Sequence, residues 1–228
     1  MFAALAVALL LQDSAPDLFK KVEEKYAAAK TLSLSTEVRI VEVKDGKEKE
    51  REKGRMQGKL RSKGTGQIHV EYSILIDSTT NQVATYVSDA KYLSMRIAGR
   101  PPEKKDHALA LGTWSRRFCA RTGLTASLGS AFGAVFRAEE IKLDKLFLVT
   151  EIADGGKEKV GDVECRIVTY HVSQVQDPSN PLKCRMWVDP ARLAVLKHEL
   201  VDRTTIIRET HSDVTFDAEI ADDVFKIP

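Results

Sequence analysis

The alternation of apolar and polar residues is clearest near the C-terminus, from Cys184 to Phe216. Cys184 to Val188 alternates, and Asp189-Pro190 stops the run as a turn would. In the next run Ala194, Leu196, His198 and Leu200 share one face, while Lys197 and Glu199 take the other. Asp202-Arg203 breaks the pattern again. The third run sets Ile207 opposite Ile206 and Arg208 and closes on Val214 and Phe216. Three half-buried strands joined by tight turns predict an antiparallel meander.

Upstream, Ser14-Ala15-Pro16-Asp17 opens a predicted helix of about 15 residues. Ser14 is placed to cap it, Pro16 suits its first turn, and Leu18, Val22 and Tyr26 form its apolar stripe. The period then changes to two. Leu32, Leu34, Thr36, Val38 and Ile40 line one face of a strand, followed by Met56-Gly58-Leu60, by Ile68 to Ile76, and by Val83–Val87 and Tyr92–Ile97. From Glu103 to Phe136 the alternation vanishes. Leu109, Trp114 and Phe118 predict a helix over 103–121, and Leu124 to Phe136 is a small, apolar stretch of less definite form. Strands resume from Leu146 to Ile152, before an Asp154-Gly155-Gly156 turn, and from Val163 to Val172, before a loop at Asp177–Pro181. The helical insert therefore sits between two halves of a sheet. About ten antiparallel strands with few helices either split into a sandwich or curl. Because helices are available to cover an apolar face, the expected fold is α+β. It is a strongly curved, incompletely closed barrel with helices against its concave side.

Composition sharpens the class. Of the 228 residues, 43% are hydrophobic and 30% charged, which fits one globular domain, here residues 14–228. A net charge of +2 implies no field for nucleic acid. Phe2 to Leu11 is an unbroken apolar run, too short to span a bilayer. It fits the core of a secretory signal peptide over residues 1–13, although no Lys or Arg precedes it. The mature chain is thus expected in the periplasm, with no transmembrane segment. Cys119, Cys165 and Cys184 are expected as free, buried thiols rather than a disulfide. Lys44–Lys63 holds nine basic and four acidic residues, which read either as an anionic-headgroup surface or as a solvated hairpin.

Met186-Trp187-Val188-Asp189-Pro190, Leu196-Lys197-x-Glu199-Leu200, Asp213-Val214-x-Phe216, Ile220 and Val224-Phe225-x-Ile227-Pro228 together resemble the LolA/LolB-like outer-membrane lipoprotein-sorting proteins. The resemblance implies a half-barrel whose concave surface binds lipid or lipoprotein acyl chains, with an envelope receptor as a further partner. On that view the cavity is lined by Val38, Ile40, Met56, Leu60, Val70, Tyr72, Ile74, Met186 and Leu196. Leu124, Leu128, Phe132 and Phe136 belong to a lid, or to a packed helix with a Gly129-x-x-x-Gly133 face. Arg61 corresponds to the family's lid latch, although Gly64 stands where the family's Pro is expected.

Motifs for chemistry are missing. His69, His107, His171, His198 and His211 form no His-x-x-x-His or His-x-His pair, so no metal site is expected. No Gly-x-Ser-x-Gly elbow, phosphate loop or dinucleotide fingerprint occurs, and no cofactor is expected. His171 and His198 are expected as ordinary hydrogen-bonded strand residues. Three readings follow: a hydrophobic-ligand carrier, a sensor or interaction module on the same fold without lipid cargo, and an enzyme using scattered carboxylates and histidines. The last is the least supported, and a polar cluster inside the barrel would raise it.

Overall fold

The computed structural model describes residues 13–50, 55–76, 80–106, 110–123, 147–175 and 177–227. It opens with α1 (Ala15–Ala28), capped by Ser14, whose hydroxyl accepts the Asp17 N–H at 3.2 Å. Leu18, Phe19, Val22 and Tyr26 are buried along one stripe, as the spacing predicts.

Seven strands follow: β1 (Thr31–Lys44), β2 (Lys47–Glu50), β3 (Met56–Lys63), β4 (Gln67–Ile76), β5 (Thr80–Asp89), β6 (Tyr92–Ile97) and β7 (Glu103–Asp106). Then come α2 (Leu111–Thr122), β8 (Phe147–Val160), β9 (Val163–Gln174), β10 (Asp177–Asp189), β11 (Ala194–Asp202), β12 (Thr205–Phe216) and a 3₁₀ turn at Asp222–Phe225. All described strands join one antiparallel sheet in the order β7-β6-β5-β4-β3-β1-β12-β11-β10-β9-β8, with β2 paired to β1 outside this path. The first and last long strands meet at the centre. β7 and β8 are the two edges and do not pair with each other. The sheet is thus curved but not closed, and α2 lies between its halves in sequence.

Three expectations need correction. Glu103–Asp106 is not the start of the second helix but a short edge strand on β6, and the helix begins at Leu111. Its four charged residues suit an edge, because charge there discourages further pairing. Asp154-Gly155-Gly156 does not end a strand. β8 runs through it with register shifts at Thr150/Ala153 and Asp154/Lys157, and Gly155 leaves space that a Cβ would contest with Ile167 at 2.6 Å. Asp177–Pro181 likewise lies within β10, again with a shift.

Helix α2 is seated by contact of its first turn with the β3–β4 turn. The Thr113 N–H donates to the Thr65 carbonyl at 3.1 Å. A Cβ on Gly112 would meet the carbonyl oxygens of Gly64, Thr65 and Gln67 at 2.8, 3.0 and 3.1 Å. Among the described residues no helix is long and apolar enough to cross a membrane. Cys119, Cys165 and Cys184 are buried free thiols.

Gly to Ala inside a helix normally stabilises by about 1 kcal/mol. At Gly112 the overlap with three backbone oxygens outweighs that gain. Gly112→Ala is expected to destabilise by about 1–3 kcal/mol, seen as a melting temperature several degrees lower in thermal unfolding.

Candidate ligand site on the inner face of the sheet

Directly paired residues in an antiparallel sheet share a face, so register alone lays out the inner surface. One row runs Val168 (β9), Met186 (β10), His198 (β11), Glu209 (β12), Val38 (β1), Met56 (β3) and the position of Ile74 (β4). A second runs His211, Thr36, Gly58 and the position of Tyr72. A third holds Leu34, Leu60, Val70, Tyr86 and Met95. The predicted cavity residues Val38, Leu60, Val70 and Met186 thus lie on one face and are fully buried, while Ile40 and Met56 on that face are only half-buried. Leu196 is buried on β11, two residues from His198. The side chains of Tyr72 and Ile74, and all of Leu124, Leu128, Phe132 and Phe136, lie outside the described residues.

Both helices are tied onto this face. Phe19 packs edge-on against Tyr170 at 5.0 Å, and Tyr26 against Phe216 at 5.0 Å. The Tyr26 hydroxyl accepts the Val195 N–H at 3.1 Å. Val195 is free to donate because β10 and β11 slip register at Trp187/Val188. Arg121 of α2 pairs with Glu23 of α1, and the Tyr170 hydroxyl donates to the Arg121 carbonyl.

Arg116 makes the most extensive of these ties. It is buried, and its guanidinium donates to the Tyr26 carbonyl at 3.0 Å, the Gly64 carbonyl at 2.9 Å, Ser62 Oγ at 3.3 Å and Thr113 Oγ1 at 3.3 Å. One side chain therefore holds α1, α2 and the end of β3 together. Burial lowers its pKa, and the nearest opposing influence is the charge of Asp217. Arg61, the expected latch, is placed differently. It is cross-strand from His69 on the face opposite Leu60, and it pairs with Glu71 at 3.7 Å. The basic Lys44–Lys63 stretch is laced with opposite charges, including Arg39 and Arg55 on Glu50 and Lys63 on Asp222.

A polar cluster sits in the middle of the apolar face. His211 and Glu209 are buried and joined, Nε2 to Oε1, at 2.7 Å, and His211 Nδ1 contacts the Val195 carbonyl at 3.0 Å. A carbonyl only accepts, so Nδ1 carries a proton. The contact with Glu209 holds a second one, on Nε2 or on the carboxyl, and the pair is neutral overall in either arrangement. His198 lies cross-strand from Glu209, with its ring centroid 5.7 Å from that of His211. It is 0% exposed; its ring faces the Ala120 backbone of α2, but neither ring nitrogen makes a hydrogen bond of normal geometry among the described residues. This corrects the expectation of an ordinary hydrogen-bonded strand histidine. Thr36, cross-strand from His211, is also buried with an unpartnered hydroxyl. Burial, reinforced by His211, pushes His198 down to about 3. Burial and the charge of Glu209 push the Cys119 thiol well above its usual range. His171, by contrast, is a half-buried partner of Glu151 at 3.1 Å.

The cluster is not visible as a sequence motif because its members come from three strands, with His198 11 residues before Glu209 and Thr36 162 residues before His198. One local feature points to part of it. A hairpin closed by Arg203 and Thr204 puts His198 opposite Glu209. At Gly123, which ends α2 with φ of 76°, a Cβ would meet the Glu209 carboxylate at 2.7 Å. The helix end and the cluster are therefore in direct contact.

A solved structure shares this architecture. LprF from Mycobacterium bovis aligns over 91% of this chain and 94% of its own with a TM-score of 0.50 at 9% identity. The chain shares the fold of LprF. The Mycobacterium tuberculosis lipoprotein LppX aligns over 90% and 98% at 12% identity and a TM-score of 0.46. A LolA superfamily protein from Nitrosomonas europaea aligns over 95% and 99% at 12% identity and a TM-score of 0.37. No family model and no curated protein matches the sequence.

Two outcomes follow from the two arginines. Arg116→Ala is expected to cost about 2–4 kcal/mol, because it strands buried carbonyls, whereas Arg61→Ala stays within about 0.5 kcal/mol. Urea unfolding of both variants measures the contrast.

The low pKa of His198 has a definite sign. Unfolded, the ring titrates near 6.5; folded, near 3. Between these values the unfolded chain binds the extra proton, so stability is full above pH 6.5 and falls as pH drops toward 3. The slope approaches about 1.4 kcal/mol per pH unit. His198→Phe is expected to remove that slope and move the acid-unfolding midpoint to lower pH, read by circular dichroism.

Proposed function

We propose that this chain is a binding and carrier protein of the cell envelope for a hydrophobic ligand, a lipid or a lipoprotein acyl chain. What carries the reading is a set of apolar side chains that the protein leaves half-covered on its inner face. Ile40 and Ile207 are cross-strand partners, Met56 pairs with Val38, and all three are half-buried beside the sealed rows of Val38, Leu60, Val70 and Met186. An acyl chain laid there gains about 0.8 kcal/mol for each CH₂ removed from water. The resemblance of the C-terminal stretch to the LolA/LolB-like proteins agrees with a binding role. The apolar run at residues 2–11 supports export to the periplasm, and release of cargo to an envelope receptor is part of the same reading.

A second reading is a sensor or interaction module without lipid cargo. It draws support from the rows under α1 and α2, where Leu34, Leu60 and Val70 are fully buried against the chain's own side chains.

Native mass spectrometry of protein purified from an exporting host, with lipid extraction of the same sample, tests the proposal. An acyl species at fixed stoichiometry is expected, and Ile207→Gln is expected to reduce its occupancy at least about fivefold while leaving the fold intact. A bare mass, together with failure to take up fluorescent fatty-acid or lipopeptide probes, would sink the carrier reading in favour of the sensor.

A further inference from the structure

The inner face carries a polar group of four side chains at the centre of an otherwise apolar surface: Thr36, His198, Glu209 and His211. Glu209 and His211 satisfy each other. Thr36 Oγ1 and both nitrogens of His198 are buried without a partner among the described residues. A buried polar group left unpaired costs about 1–3 kcal/mol, and apolar replacements of the same shape would fit these positions. Two such groups, on β1 and β11 either side of the β12 strand that carries the matched pair, are costly unless something else completes their hydrogen bonds. They also adjoin the half-covered Ile40, Met56 and Ile207. Ile207 is two residues from Glu209 on β12, and Ile40 is two residues from Val38 on β1.

We propose that Thr36 and His198 form the head-group site of an amphiphilic ligand whose acyl chain runs along Ile40, Met56 and Ile207. The inference rests on the hydrophobic-ligand reading above and adds the chemistry of the ligand's polar end. That end is uncharged, a hydroxyl or ester as in an acylglycerol. Neutral His198 offers one N–H donor and one ring acceptor, and Thr36 offers a hydroxyl that does both. The Glu209–His211 pair is neutral as a unit, and no buried cation of the cluster is left to receive an anionic head. A free carboxylate would be desolvated beside Glu209, which is unfavourable. The titratable groups that face His198 from the packed elements are Glu209 and His211 of β12, and Cys119 of α2 and Tyr26 of α1 border the same cluster.

The test is displacement of the apolar fluorophore N-phenyl-1-naphthylamine from the full chain at pH 8, by 1-monolaurin, laurate and dodecane. Monolaurin is expected to bind about tenfold or more tightly than laurate. His198→Phe and Thr36→Val are each expected to weaken monolaurin about five- to tenfold, while fluorophore binding stays within about twofold. Both variants are expected to melt at or above the wild-type temperature, because each removes an unsatisfied buried polar group. Equal binding of laurate and monolaurin, or monolaurin binding unmoved by both variants, overturns the head-group assignment and leaves the carrier reading standing. A fall in melting temperature in both variants shows a structural role and also overturns it. Failure of the wild-type chain to bind the fluorophore or any of the three compounds overturns the carrier reading itself, and the head-group site with it.

Discussion

The pairing of β1 with β12 is the constraint on which the molecule depends. It joins strands about 170 residues apart in sequence and makes one continuous sheet of two runs of hairpins. Each run alone would expose an apolar face and an unpaired inner edge. The pairing hides both and leaves β7 and β8 at the two ends of the strand order among the described residues, one short and charged, the other bulged. It also places Glu209 and His211 of the last strand beside Val38 and Thr36 of the first. The β11–β12 hairpin brings His198, Glu209 and His211 together, and the meeting of the two halves adds Thr36 to them.

A sheet assembled in this way needs cover, and the helices supply it by hydrogen bonds as much as by apolar packing. Arg116 donates to three different parts of the chain, Tyr26 reaches the Val195 N–H opened by a bulge, and Gly112 lets α2 approach the β3–β4 turn at backbone distance. These contacts seal the rows around Leu34, Leu60 and Val70. They leave Ile40, Met56 and Ile207 half-covered. The contrast between a sealed and a half-covered part of one apolar face connects the packing to the proposed function. A surface fully satisfied by its own helices would have nothing left to offer a ligand.

The cluster at His198 shows a conflict between stability and purpose. Burying an imidazole with no hydrogen bond and holding it neutral is unfavourable, and apolar residues would pack there without that cost. Strained or unsatisfied groups of this kind concentrate where a chain serves something other than its own folding.

Local patterning determined much of this protein. The period-two runs, the α1 stripe with its Ser14 cap, the C-terminal meander and the helical insert between two half-sheets could all be read from residue order, because each depends on neighbours within one element or one hairpin. The breaks were less legible. Gly155-Gly156 and Asp177–Pro181 read as turns, yet register shifts within β8 and β10 absorb them; four charged residues at Glu103–Asp106 carry no alternation, yet pair at an edge. The inner-face placement of Val38, Leu60, Val70 and Met186 followed from alternation. The placement of Arg61 on the opposite face, the tie made by Arg116 and the unpartnered state of Thr36 and His198 did not. Those depend on which strand lies beside which, and that is decided by contacts between residues far apart in sequence, where loop closure and packing set the outcome and local preference has no say.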